Sequence, residues 1–475
     1  MSANDIDILA VDRGTITAPA GCGKTHLIAE ALARYGGTKP ILVLTHTNAG
    51  VAALRSRLEY AGVPSKAYRV TTIDGWAIRL ISSFPMRSGH DPNILEIANP
   101  STDYPHIRDA AAELLRSGHL SDVIMASYSR IIVDEYQDCS IRQHTIISYA
   151  SQILPTCVLG DPMQAIFGFG IDKLARWNED VCAWFPIVKK LQTPWRWINA
   201  NAEPLGCWLL DVREKLLDGM PVDLGEAPSS VNWIELDGTE NHQRQLVAAR
   251  IHSPNGNGGV LIIGDSRSPE SQHRLASQTP GAIAVEAVDL KDLVSFMRGF
   301  KFSAPNAFED LLLFAQNVMT NVGGSELMRR VQSLLRGTAR TPPNDVEKAA
   351  ITFNQTPSNH AAVDLLLKIK GVAGVRVYRP VVLTSCLRAF QTCEETEELS
   401  LYEAAVRIRE QYRMFGRSLP RRAVGSTLLL KGLEAEVAIL LNADSLDARN
   451  LYVGMTRGSQ VLSICSSTPV LRPKG

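Results

Sequence analysis

Residues 15–25 read TITAPAGCGKT, and HLIAEALARYG follows at once. A short apolar run enters a loop punctuated by glycine, and the loop opens into apolar residues at helical spacing that end at Gly36. Strand, loop, helix is the order of a fold in which a parallel strand delivers a helix N-terminus to a ligand. Gly21 and Gly23 let the backbone approach phosphate oxygens, the helix adds its positive end, Lys24 reaches the outer phosphates, and the Thr25 hydroxyl suits magnesium. A glycine-rich turn before a helix would have a similar composition, but the strand and helix context favours the phosphate loop.

A second stretch, IIVDEYQDCS at 131–140, brings Asp134, Glu135, Gln137 and Asp138 directly after three apolar residues. The apolar run reads as a buried strand, so the acids fall where the chain leaves the core. On these residues alone a solvated acidic turn and a metal site are both open. The phosphate loop decides between them. A P-loop protein needs one carboxylate to complete a magnesium shell and another to orient or deprotonate an attacking water, and ligands of parallel sheets sit beyond the carboxyl ends of the strands. Asp134 and Glu135 fit those two tasks.

At 475 residues the chain exceeds one hydrophobic core, and two to four structural units are expected. Lys+Arg and Asp+Glu both number 49, so a polyanion would need a local basic groove rather than the attraction of the whole molecule. The cysteines, at 22, 139, 157, 182, 207, 386, 393 and 465, are scattered without a CxxC pair and read as reduced thiols. No basic leader with an apolar core opens the sequence, and no run of 18 apolar residues occurs. A cytoplasmic protein without a membrane span is expected.

Eight matches in order make the chain resemble the UvrD/Rep/PcrA group of superfamily 1 DNA helicases. APAGCGKT (18–25) is similar to that group's Walker A motif, ILVLTHTNAGVAALRSRL (41–58) to the motif that follows it, and VTTIDGWA (70–77) to the next. DEYQD (134–138) resembles Walker B, LGDPMQAIFGF (159–169) motif III, LQTPWRW (191–197) motif IV, LLLKGLEAEVAIL (428–440) motif V and LYVGMTRG (451–458) motif VI. The resemblance implies an α/β fold of two RecA-like P-loop domains with parallel sheets flanked by helices, and a mainly helical insertion in the second. It implies ATP and Mg2+ as cofactors. Gly21, Cys22, Gly23, Lys24, Thr25 and His26 would contact the nucleotide, Thr25 and Asp134 the metal, and Glu434 the ribose. Lys24, Glu135, Gln164 as sensor of the terminal phosphate, and Arg196 and Arg457 as two arginines facing the transferring phosphoryl group would carry the chemistry. By the same resemblance the second domain supplies both arginines across a cleft, which turns nucleotide state into domain motion.

Single-stranded or partly single-stranded DNA is the implied partner, held by His46, Thr47, Asn48, Thr72, Phe167 and Phe169. Base stacking on planar side chains contributes about 1–3 kcal/mol per base and tolerates any sequence. Each phenylalanine taken alone fits a core role better, and the motif context reverses that balance more for Phe169 than for Phe167; His46 fits a hydrogen-bonded loop histidine equally well, and Trp76 reads as core. RIREQYRMFGRSLPRR (407–422) and MRRVQSLLRGTAR (328–340) are basic enough either to meet phosphates or to form solvated helix faces.

The expected division is 1–190 for the first RecA-like domain, with a short insertion near 78–125; 191–300 and 418–475 for the second; and 301–417 for the helical insertion. Three features depart from the family pattern. No glutamine precedes the phosphate loop, Leu428 and Leu430 stand where motif V has a histidine and a small residue, and Asp74 replaces a histidine in TIDGWA. The first functional expectation is an ATP-dependent single-stranded DNA translocase or helicase of 3'-to-5' polarity. The second is a DNA-sensing regulatory ATPase that controls a partner such as a nuclease subunit without processive unwinding, because compact relatives serve this way in bacterial anti-phage systems such as Gabija. A P-loop kinase or small-molecule transferase would use Lys24 and Asp134 but leave Gln164, Arg196 and Arg457 without roles.

Overall fold

The computed structural model describes residues 6–168, 172–396, 398–414 and 420–474. The chain divides into two compact units, Met1–Glu235 with Asn442–Gly475, and Leu236–Leu441.

The first sheet contains β1 (Arg13–Thr17), β2 (Ile41–Thr45), β3 (Tyr68–Thr72), β4 (Ile131–Val133), β5 (Thr156–Gly160) and β6 (Ile187–Lys190), in the order β3-β2-β4-β5-β1-β6. Every pairing in it is parallel. Its central strands are buried on both faces, which is why they read as unbroken apolar runs instead of alternating ones. The two-residue period still sorts their side chains. Ile41, Val43 and Ile132 pack with Leu27, Ile28 and Leu54 of the helices Lys24–Arg34 and Asn48–Tyr60. Leu42, Leu44, Ile131 and Val133 face the opposite way, against Trp76, Ala111 and Ile146 of the helices Ile73–Ser83, Pro100–Arg116 and Ile141–Ala150. Each valine, leucine or isoleucine fully buried in this way contributes about 1.5–3 kcal/mol.

This topology aligns the motifs. β5 lies between β1 and β4, so the phosphate loop, the residues after Gly160 and the acids after Val133 all emerge at carboxyl ends of neighbouring parallel strands. His46 follows β2 and Thr72 closes β3 on the same edge.

The second sheet also has six strands: β7 (Val231–Glu235), β8 (Val260–Ile263), β9 (Ile283–Ala284), β10 (Arg422–Gly425), β11 (Ala435–Leu440) and β12 (Gly458–Ser466). Within the second unit β9 pairs with β10, β10 with β8 and β8 with β11; within the first, β12 pairs with β7; all four are parallel. Two parallel six-stranded sheets flanked by helices match the expected fold class, as does the mainly helical segment. That segment includes the helices Ala307–Val318, Gly324–Leu335, Asp345–Gln355, Asn359–Lys370, Pro380–Glu395 and Leu401–Met414, which pack around Leu311, Ala350, Phe353, Leu366 and Phe390. Two strands the sequence reading did not foresee, β3 and β6, form the edges of the first sheet. Among the described residues no helix is long and apolar enough to cross a membrane.

Candidate nucleotide-binding site

The phosphate loop runs from the end of β1 into the helix that begins at Lys24. Gly21 and Gly23 have φ of 71° and 84°, in the left-handed region where only glycine is free of strain. Space forbids a side chain at Gly21 as well: an added Cβ would lie 2.5 Å from Trp197 Cζ3 and 2.9 Å from Arg196 Cβ. At Gly23 it would meet Trp195 Cδ1 at 3.0 Å. The WRW segment of the motif IV match therefore packs directly on the loop. Cys22 is buried, and burial followed by the Asp161 charge pushes its thiol up to about 12. Thr25 is half-buried and His26 exposed.

Lys24 Nζ reaches Asp134 Oδ1 at 3.2 Å and Glu135 Oε1 at 2.6 Å. Burial alone would lower the lysine, but the two carboxylates outweigh it and hold the ammonium charged. Burial raises the Asp134 carboxyl against the pull of Lys24. Glu135 adopts φ 55°, uncommon for a residue with a side chain and concentrated at functional sites, and its N–H donates to Asp134 Oδ1 at 3.0 Å. Among the described residues no group of three His, Cys, Asp or Glu side chains could hold a metal by itself. Magnesium needs no such cage, because it takes one or two protein oxygens and the phosphates of its nucleotide.

A hydrogen-bonded chain continues from the acids. Gln137 Nε2 donates to Glu135 Oε2 at 2.5 Å, and Gln137 Oε1 accepts from the Asp161 N–H at 3.1 Å. Gln164 Nε2 donates to Asp161 Oδ2 at 3.1 Å. Gln137 and Asp161 lie inside the quoted motifs, yet neither was assigned a role from the sequence, and both are buried.

Arg196 and Arg457 lie in the same unit as Lys24. The Arg196 N–H donates to the Gly21 carbonyl at 3.0 Å and its Nη1 to the Thr456 carbonyl at 2.5 Å, while Trp197 Nε1 donates to the Gly458 carbonyl at 3.0 Å. Arg457 is buried; its Nε donates to the Val453 carbonyl at 2.8 Å and its Nη2 to Thr456 Oγ1 at 3.1 Å. Both guanidinium groups thus bond to Thr456. Tyr452, one turn earlier on the same helix, accepts from the Ala20 N–H at 3.2 Å. Glu434 belongs to the second unit, exposed just before β11.

Five of the six residues expected to face DNA are described. His46 and Phe167 come together, their ring centroids 5.7 Å apart and tilted by 50°. Thr47 caps the helix that Asn48 begins, accepting from Gly50 N–H at 3.0 Å, and Thr72 caps the next, accepting from Gly75 N–H at 2.9 Å. Phe169 lies outside the described residues. Trp76 is core, as expected.

Asp74 does not present a bare charge: Arg108 donates to both its oxygens, at 2.7 and 2.6 Å, and Gln143 Nε2 donates at 3.0 Å. Arg108 continues to Asp172, which Arg142 also grips. In the first basic segment, residues 415–419 lie outside the described residues, while Arg422 is buried and donates to the Ile251 carbonyl at 2.9 Å. In the second, Arg330 pairs with Glu347 at 3.1 Å. Those two arginines serve the fold.

A family model described as an AAA domain matches residues 6–170, which include the phosphate loop, both acids and Gln164. No curated protein matches. Among solved structures the chain is similar to the complex of an arterivirus nonstructural protein 10, a helicase, with DNA, at 12% identity and a TM-score of 0.28. The likeness covers 54% of this chain and 48% of that one, so the chain spans about half the length of that protein. A likeness this loose carries no argument.

Proposed function

We propose that the protein is a DNA-dependent ATPase that translocates on single-stranded DNA in the 3'-to-5' direction, as a superfamily 1 helicase of the UvrD-like group does. The observation that carries the reading is the convergence on one loop of Lys24, its two carboxylates and the backbone of Arg196. A phosphate loop alone serves many enzymes. A loop with an acid pair on a second parallel strand, a sensor amide and arginines beside it suits hydrolysis of a nucleoside triphosphate.

In this reading Gly21, Cys22, Gly23, Lys24, Thr25 and His26 contact the nucleotide phosphates, and Glu434 the ribose. Thr25 and Asp134 would hold magnesium, which when bound neutralises charge on the phosphoryl oxygens. Glu135 accepts the proton of the attacking water, Gln164 contacts the terminal phosphate, and Arg196 and Arg457 stabilise the charge that develops there. His46 and Phe167, with Phe169, stack on bases while Thr47, Asn48 and Thr72 meet the backbone. The proposal keeps the sequence-derived division into 1–190, 191–300 with 418–475, and 301–417, although 191–235 and 442–475 pack in one compact unit with the phosphate loop, and it keeps a cytoplasmic setting.

One observation supports a second reading. Leu430, where the family's motif V has a small residue, is buried with its side chain 3.2 Å from the Cβ position of Gly425. A motif V built into the core loosens the coupling between nucleotide and DNA, as suits a DNA-sensing ATPase that switches a partner, such as a nuclease in phage defence.

The test is ATP hydrolysis by the purified protein with and without single-stranded DNA. Stimulation by DNA, abolished in Lys24→Ala and Glu135→Gln, is expected; hydrolysis indifferent to DNA would sink both readings. Strand displacement from substrates with 3' or 5' loading tails then separates them. Unwinding confined to 3' tails favours the translocase, and no unwinding with either tail favours the sensor.

A further inference from the structure

Arg213 lies outside every motif, on the helix Glu203–Leu217 and on the face that buries Leu205, Leu209, Val212 and Leu216. A guanidinium 5% exposed among such residues is costly unless it is paired and hydrogen-bonded. Its partner is Asp161, 0% exposed, directly after β5. Arg213 Nε and Nη2 both donate to the same oxygen, Oδ1, at 3.1 and 2.8 Å. The fork therefore closes on one oxygen of the carboxylate and leaves Oδ2 to accept from Gln164 Nε2 at 3.1 Å.

From the geometry we infer that Arg213 is a positioning residue: by fixing the Asp161 carboxylate it sets the side chain of Gln164 toward the nucleotide. The inference rests on the reading of Gln164 as the contact to the terminal phosphate. The other end of the network supports it. The Asp161 N–H is held by Gln137, Gln137 holds Glu135 at 2.5 Å, and Glu135 reaches Lys24 at 2.6 Å, so one unbroken set of bonds joins Arg213 to the phosphate loop. Arg213 also cancels a buried negative charge behind that loop: Asp161 and Arg213 act in opposite senses on Cys22 within it and on Tyr452, which bonds to Ala20. Lysine could supply the same charge, but as a point charge on a flexible stem it cannot direct two N–H groups onto one oxygen. Charge and orientation are therefore separable by substitution.

The experiment measures, by titration calorimetry, the affinity of the full chain for ADP and for a non-hydrolysable ATP analogue. The readout is their ratio, which reports contact with the terminal phosphate. Arg213→Lys and Gln164→Ala are each expected to cut the preference for the analogue about tenfold. The double variant should lose no more than either single one, because both act through the same hydrogen bond. Arg213→Lys should keep wild-type ADP affinity. A second variant, Arg213→Met with Asp161→Asn, removes both buried charges together and leaves none unpaired; it should melt close to wild type and show the same lost preference. Full analogue preference in Arg213→Lys or in the charge-free pair, or additive losses in the double variant, overturns the inference. A wild-type protein that binds neither nucleotide overturns the proposed function, and this inference with it.

Discussion

The backbone N–H of Arg196 donates to the carbonyl of Gly21 at 3.0 Å, so main-chain atoms fix the motif IV segment against the phosphate loop. The guanidinium of Arg196 then bonds to the Thr456 carbonyl, whose side-chain hydroxyl accepts from Arg457. One threonine thus connects both arginines assigned to the transferring phosphoryl group, and the loop that would cradle the nucleotide is their anchor.

Arg457 donates to Val453 and Thr456 within its own segment, so its truncation tests two roles at once. Arg457→Ala is expected to retain ATP affinity within about threefold and to lose about a hundredfold or more in kcat, as removal of a transition-state arginine does. Binding measured by fluorescence and turnover measured by phosphate release distinguish the roles. A loss of affinity as large as the loss of turnover would remove the transition-state assignment.

In the proposed function the paired rings of His46 and Phe167 are the surface on which bases stack. His46→Ala and Phe167→Ala should each weaken single-stranded DNA by about 1–3 kcal/mol, regardless of sequence. Fluorescence anisotropy with oligothymidine and a mixed-sequence oligonucleotide checks both magnitude and tolerance. Affinity unchanged in both variants would return these rings to a purely packing role.

In the second unit Arg379 donates to Glu286 at 2.7 and 2.9 Å, with both side chains buried, and to Asp292 at 2.6 Å. Arg379→Met leaves the Glu286 charge without its partner and should cost about 3–5 kcal/mol. Adding Glu286→Gln should recover most of that loss. Urea denaturation of the single and double variants measures it, and additive losses would contradict the pairing.

Buried thiols set an alkaline limit, and burial raises Cys139 and Cys386 well above the ordinary range. Burial pushes Cys22, Cys157 and Cys465 up to about 12 from an ordinary 9.0. The native state therefore holds these protons above pH 9, where the unfolded chain releases them, so stability is fully present below pH 9 and falls as pH rises toward 12. Cys22→Ala should shallow that decline in a melting-temperature profile. At pH 8 iodoacetamide should modify exposed Cys207 well before Cys22, as peptide mass spectrometry would read.

Much of this arrangement was legible in the chain because its signals are local. Gly21, Lys24, Asp134 and Glu135 announce themselves by spacing after apolar runs, and the structure brings them together at the carboxyl ends of β1 and β4, on either side of β5. The edge strands β3 and β6 were harder to see. The burial of β3 is broken by Arg69, and IVKK in β6 is exposed throughout, so neither carries the unbroken apolar signature of a central strand. Arg213 was invisible for a different reason. Its position on an amphipathic helix reads as a charged residue at the margin of an apolar face, and only the tertiary partner Asp161 gives it meaning. Asp74 shows the same limit: the sequence displays its charge but not the guanidinium of Arg108 that answers it from a separate helix.

Trp195 and Trp197 rest on the two glycines of the phosphate loop, so close at Gly21 that even a methyl group would collide with Trp197. Indole emission depends on the polarity and packing around the ring, so the loop carries its own label. Ligand arrival among those amides becomes an optical event, visible without a dye and silenced ring by ring through phenylalanine replacement.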